Sequence, residues 1–148
     1  MMERMNRLLE LRGLRRSIAE KDARLAKIAR DEFERKVNAA EEAHARALAD
    51  AATKRRSALD TLMDAPATPL NVARMANVSA MAEHDVDRSG AERDTAADAL
   101  EESERELAER RDVLAEFLRR EDAAQGAIAR FEDATRHVRD AAEEDEEN

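Results

Sequence analysis

An all-α fold, a long antiparallel two-helix coiled-coil hairpin, follows from three features of this 148-residue sequence. Charged residues make up 41% of the chain and aromatic residues 2%, so Phe33, Phe117 and Phe131 are the only aromatic side chains available to an interior. Ala, Glu, Arg, Asp and Leu dominate, the composition of long helices and coiled coils. The two Pro lie together in Asp64-Ala65-Pro66-Ala67-Thr68-Pro69, and only three Gly interrupt the rest. A β-sandwich, a barrel or a doubly wound sheet needs a thicker interior and more turns than this. The 43% hydrophobic content does not supply that interior, because about half of it is Ala, which buries little area.

The first element is a helix over about residues 2–63. Leu11, Leu14, Ile18, Leu25 and Ile28 recur at steps of three and four, with Lys21 or Asp22 at the polar position, and predict a heptad seam. Leu25, Ala29, Phe33 and Val37 then follow in steps of four, which predicts a stutter that locally unwinds the supercoil. The stripe resumes through Ala40, His44, Leu48, Ala51, Arg55, Leu59 and Leu62. The turn occupies 64–69, because Pro lacks an N–H and pushes its predecessor out of the α region. The second helix covers about 70–142, with Leu100, Glu104, Leu107, Arg111, Leu114 and Leu118 in the seam. After a one-residue shift, Phe117, Glu121, Ala124, Ile128, Phe131, Thr135 and Val138 continue it. At about 1.5 Å per residue the helices are roughly 90 and 110 Å long. The last segment, 143–148, repeats acidic residues that repel one another and predict a frayed or disordered tail.

A short connection makes the two helices antiparallel neighbours. Folding at the prolines pairs residues whose numbers sum to about 135. Large apolar residues then meet at both ends, as in Leu8 near Ile128 and Ile18 near Phe117, while 39–52 against 84–97 is mostly Ala, Ser, His and charge. That middle, with Gly90 inside a helix, is expected to be the thinnest and softest part. Charge is arranged by element: residues 1–36 carry eleven Lys and Arg against seven Asp and Glu, whereas residues 66–131 carry nine against fifteen. A basic helix start therefore faces an acidic return helix.

Composition and motifs also bound the function. Without Cys there is no disulfide scaffold and no thiol chemistry. No apolar run of about 18 residues exists to span a membrane, and the charges within 1–16 argue against a secretory leader. A net charge of −9 disfavours nucleic acid as a partner. His44, His84 and His137 stand far apart, which predicts no metal site. No phosphate loop, nucleophile elbow or zinc-protease motif is present. The expectation is a protein that is not an enzyme and uses no cofactor. Its candidate partner-binding residues are the basic start, Arg4, Arg7, Arg12, Arg15 and Arg16, and the apolar group after the turn, Val72, Met75, Val78 and Met81 with Leu70. Methionine suits the second surface because its flexible, polarizable side chain adapts to varied partners. A hairpin buries one stripe per helix and is marginal alone, so its surface is where its function lies.

A Cys-free chain of this length, opening on a basic, Leu-rich helix (Met1-Met2-Glu3-Arg4-Met5-Asn6-Arg7-Leu8-Leu9-Glu10-Leu11) and split by a short Pro-containing turn, resembles the central-stalk proteins of bacterial type III secretion, the FliJ and YscO group. The resemblance covers the whole chain and rests on length, architecture and the character of the start, without a diagnostic motif. It implies an antiparallel two-helix coiled coil whose terminal end enters the pore of the hexameric secretion ATPase. It also implies a link from that ATPase to an export-gate protein, and contact with export chaperones. The implied location is the bacterial cytoplasm, peripheral to the inner-membrane secretion apparatus, with no direct membrane insertion and with the chain a monomer or weak homo-oligomer. The acidic tail departs from this picture, since it would sit at the inserting end. The alternative from the residues is a self-associating structural or scaffolding coiled coil without an ATPase partner.

Overall fold

The computed structural model describes the backbone of residues 2–64 and 66–146, with the side chains of 3–64 and 66–143. Two long helices, α1 (Met2–Asp64) and α2 (Pro69–Glu146), make up the chain, and no strand occurs among the described residues. They pack antiparallel against each other as a helical hairpin. Ala65, inside the expected turn, lies outside the described residues.

Pro69 is the first residue of α2 rather than part of the break. Its missing N–H is one the first turn leaves unbonded anyway, and its fixed φ suits a helix start. Thr68 supplies the cap: its hydroxyl accepts from Asn71 N at 3.2 Å, and its carbonyl accepts the first helical bond, from Val72 N at 3.1 Å. The Asn71 amide donates to Pro66 O at 3.2 Å, and Thr68 N donates to the same oxygen at 2.7 Å. One strong breaker, Pro66, and one good starter, Pro69, therefore share six residues of sequence. At the other end α2 stays helical to Glu146, so most of the acidic segment 143–148 continues the helix; Glu147 and Asn148 lie outside the described residues.

Contacts cluster into two compact units: a terminal unit, Met1–Lys27 with Glu106–Asn148, and a turn unit, Ile28–Arg105. In the terminal unit, ion pairs join the helices at Arg16–Glu121 (3.3 Å) and Asp22–Arg110 (3.8 Å). In the turn unit, Arg30–Glu104 (3.6 Å), Arg55–Glu83 (3.1 Å) and His44–Ser89 (3.0 Å) do the same. The paired numbers sum to between 132 and 138, as the expected register requires.

The seam keeps the expected Phe33, Val37, Ala40, His44 and Ala51 of α1 and Leu100, Leu107, Leu114, Phe117, Glu121, Ala124 and Ile128 of α2, and differs chiefly at the start of α1, where Ala19, Ala23 and Ala26 replace Leu14, Ile18 and Leu25. In the terminal unit α1 turns Met5, Leu9, Ala19, Ala23 and Ala26 toward α2, which offers Leu107, Leu114, Phe117, Glu121, Ala124 and Ile128. In the turn unit Arg30, Phe33, Val37, Ala40, His44, Ala47, Ala51 and Ala58 face Met75, Ser79, Ala82, Val86, Ser89, Arg93, Ala96, Leu100 and Ser103. The steps between these positions are three and four in alternation, or sums of such steps: ten from Leu9 to Ala19, seven from Ala51 to Ala58 and seven from Leu107 to Leu114. The stutter expected in helix 1 and the one-residue shift expected in helix 2 are both absent. The stutter arose from following Leu and Ile in helix 1, whose seam in the terminal unit follows Ala instead.

Packing explains the choice. In the terminal unit the bulky side chains of α2 take up the space between the helices, and Ala on the facing helix leaves room for them. At the centre of the turn unit Ala47 and Ala51 lie against Ala82, where small side chains let the helices approach. The core is accordingly Ala19, Ala26, Ala51, Ala82 and Leu107, with Ser89 and Ser103 buried beside them. Ala82 is only 2% exposed and Ala51 only 4%. The methyls of the Ala-rich middle are thus covered, although each buries little area and an open groove of about 310 Å³, lined by Ala47, Ala51, Ala82 and Ser89 among others, runs beside them. Gly90 lies beside His44 there: a Cβ on it would meet His44 Cε1 at 3.4 Å, an ordinary contact. Ser89 Oγ donates to Val86 O at 2.9 Å, so its single proton is committed and His44 Nδ1 is the donor in the His44–Ser89 bond.

Candidate interaction surface

Once the Ala seam is made, the Leu and Ile of α1 are left outside it. In the terminal unit Leu11, Leu14, Ile18 and Leu25 are 53–59% exposed. Ile18 and Leu25 directly precede Ala19 and Ala26, about 100° around the helix from them, Leu11 repeats their position one heptad earlier and Leu14 lies farther round, so all four point away from α2. Ile18, expected against Phe117, is one of them. The result is a hairpin with a second apolar stripe on its outer surface.

The helix start forms a further feature of the same unit. Met5, Leu8, Leu9 and Arg12 of α1, with Ala124, Ala127, Ile128 and Phe131 of α2, line a shallow groove of about 360 Å³. Arg12 is its only charged lining residue. Of the five expected partner-binding Arg, Arg16 is engaged internally: its Nε donates to Glu20 Oε1 at 2.8 Å and its Nη1 to Glu121 Oε2 at 3.3 Å. The hydrogen bond to Glu20, followed by that to Glu121, raises the Arg16 pKa above its ordinary value. Arg4, Arg7, Arg12 and Arg15 are exposed and make no ion pair with any described residue.

In the turn unit Val72, Val78 and Met81 are exposed beside Leu70, Leu59 and Met63, the last at 85%. Met75 is half-buried and belongs to the seam. The structure thus keeps three of those four side chains as surface.

Sequence reasoning missed the outer stripe and the groove residue Leu9, whereas Leu8, expected near Ile128, does line the groove with it. The available signal was the unbroken alternation of Ala19, Ala23 and Ala26 one position from the Leu stripe. His44 is bonded across the seam, whereas His84 and His137 are exposed. Among the described residues no three His, Cys, Asp or Glu converge as a metal cluster, and no helix is long and apolar enough to cross a membrane. No protein-family model, curated protein or solved structure matches this chain.

Proposed function

We propose that this chain is an interaction protein that docks through the basic start of α1, and that its partner is a hexameric secretion ATPase. On this reading it is the cytoplasmic central stalk of a bacterial type III secretion system. It links the ATPase to an export-gate protein at the inner membrane and also handles export chaperones. The two-helix antiparallel fold is compatible with such a stalk. The observation that carries the reading is the difference between Arg16, whose partners are internal, and Arg4, Arg7, Arg12 and Arg15, whose charges are unspent within the described chain. Four unpaired cations beside a groove lined by Met5, Leu8 and Phe131 suit an acidic protein surface with apolar side chains. Val72, Val78 and Met81 offer a separate surface for the gate or a chaperone.

The test is a pull-down and ATPase-stimulation assay with the secretion ATPase, comparing the parent chain with Arg7→Glu/Arg12→Glu/Arg15→Glu. The expected result is binding and stimulation by the parent and loss of both in the variant. Equal binding by the two chains, or none by either, would sink the docking face. A self-associating scaffold is the second reading, favoured by the exposed stripe Leu11, Leu14, Ile18 and Leu25.

A further inference from the structure

The outer stripe of the terminal unit reads Leu11, Leu14, Ile18, Lys21 and Leu25, in steps of three, four, three and four. That is a second heptad seam on a helix whose first seam is already filled. Its width matters. Glu10, Ser17 and Arg24 border it on one side and Arg15 and Asp22 on the other, so only two positions per heptad are apolar. A lipid surface calls for an apolar arc of about 100° or more, whereas a narrow seam fits another helix. Carboxylates on both borders would also be held against anionic headgroups.

We propose that this stripe is the contact between two copies of the chain, α1 laid antiparallel on α1 about a twofold axis. In this register Leu14 of one copy meets Leu25 of the other, and Ile18 meets Lys21, whose aliphatic stem lies along the Ile while its ammonium reaches water. The borders agree: Arg15 falls opposite Asp22 of the second copy, and the symmetry repeats the pair. A parallel arrangement is disfavoured because it stacks Lys21 on Lys21 in the seam, a like-charge layer. Eight half-exposed aliphatic side chains, with the stems of Lys21 and Arg15, amount to roughly 1,000 Å² of surface, the lower end for a specific interface. The dimer is therefore reversible and concentration-dependent. This inference deepens the self-association reading and does not depend on the ATPase.

Chromatography with light scattering on the purified chain alone tests it. A monomer is 16.6 kDa, and the mass is expected to rise to twice that across a micromolar concentration series. Ile18→Asp places a carboxylate in the seam twice and is expected to weaken dimerisation by ~100-fold or more, with helical circular dichroism retained because Ile18 touches nothing in its own chain's seam. Met63→Asp, in the turn unit, leaves the mass as it was. Because the chain has no Cys, a mixture of Leu14→Cys and Leu25→Cys chains reports the register. The mixture is expected to give an intermolecular disulfide, and Leu14→Cys alone none. A monomeric mass throughout the series, an unchanged mass for Ile18→Asp, or efficient self-crosslinking by Leu14→Cys alone would each overturn the proposal. So would a monomer that sediments with phosphatidylglycerol vesicles through the same stripe. Failure of the ATPase pull-down leaves all of these readouts where they are.

Discussion

Replacing Ala82 by Leu separates two views of the hairpin's middle. If that stretch were thin and underfilled, a larger side chain would add about 0.8 kcal/mol per buried methylene, and three extra carbons would raise stability by about 2 kcal/mol. The structure argues for the opposite sign. Ala82 is 2% exposed and Ala51, on the facing helix, is 4% exposed, and the groove of about 310 Å³ beside both is lined by Arg46, Asp50, Asp85 and Arg88, so the added carbons gain little by lying in it. Otherwise they must enter between two helices that meet here through methyl groups. Overfilling such a site costs about 1–3 kcal/mol, and the separation it forces also strains the Arg55–Glu83 pair, 3.1 Å long and one residue along. The expected outcome is a loss of about 1–3 kcal/mol, read as a lower urea midpoint with the slope unchanged. Ala80→Leu, at an exposed position two residues away, is the control and stays within about 0.5 kcal/mol of the parent. A higher midpoint for Ala82→Leu would refute the close-packed Ala seam.

Leu107 is the one large aliphatic side chain in the core, so Leu107→Ala is expected to cost about 2–3 kcal/mol in the same urea titration, while Met63→Ala at an 85% exposed site changes the midpoint little. A Cβ at Gly13 or Gly126 meets nothing within 4 Å; Gly→Ala at either is expected to stabilise by about 0.5–1 kcal/mol, and Gly90→Ala, whose Cβ meets His44 Cε1 at 3.4 Å, no more than that. Glu116 is held below the ordinary glutamate range by hydrogen bonds from Arg119 and then Arg120. With the folded value depressed, that stabilisation is complete above the unfolded-state value and is lost as pH falls through the folded one. An NMR titration of the Glu116 carboxyl should therefore find it titrating below the other exposed glutamates, and Arg119→Ala/Arg120→Ala should return it to them.

The fold was legible from the composition and the clustered prolines, and the register from charge and hairpin geometry. The faces were not. Leu and Ile carry the strongest hydrophobic signal, and in a single helix packed on a wide core they would mark the inside. In a two-helix hairpin the inside is a strip a few ångströms wide, and close approach of the axes competes with side-chain size. Ala19, Ala23 and Ala26 fill that strip because Leu107, Leu114 and Phe117 already occupy the space across it. The basic start was legible as charge, but the separation of Arg16 from Arg12 and Arg15 needed the position of Glu121. The hydrogen bond between His44 and Ser89 likewise appears only when the two helices are set side by side.

At the centre of the turn unit the facing side chains Ala47, Ala51 and Ala82 are small and by themselves mark the alignment of the helices weakly. His44 sharpens it. Its ring lies beside Gly90, and its Nδ1 is hydrogen-bonded with Ser89 Oγ at 3.0 Å. One heptad away on α2 the residue in place of Ser89 is Ala82 or Ala96, and neither offers a hydroxyl. The imidazole works as an index mark, and together with the Arg30–Glu104 and Arg55–Glu83 pairs it sets how the two helices of the turn unit line up.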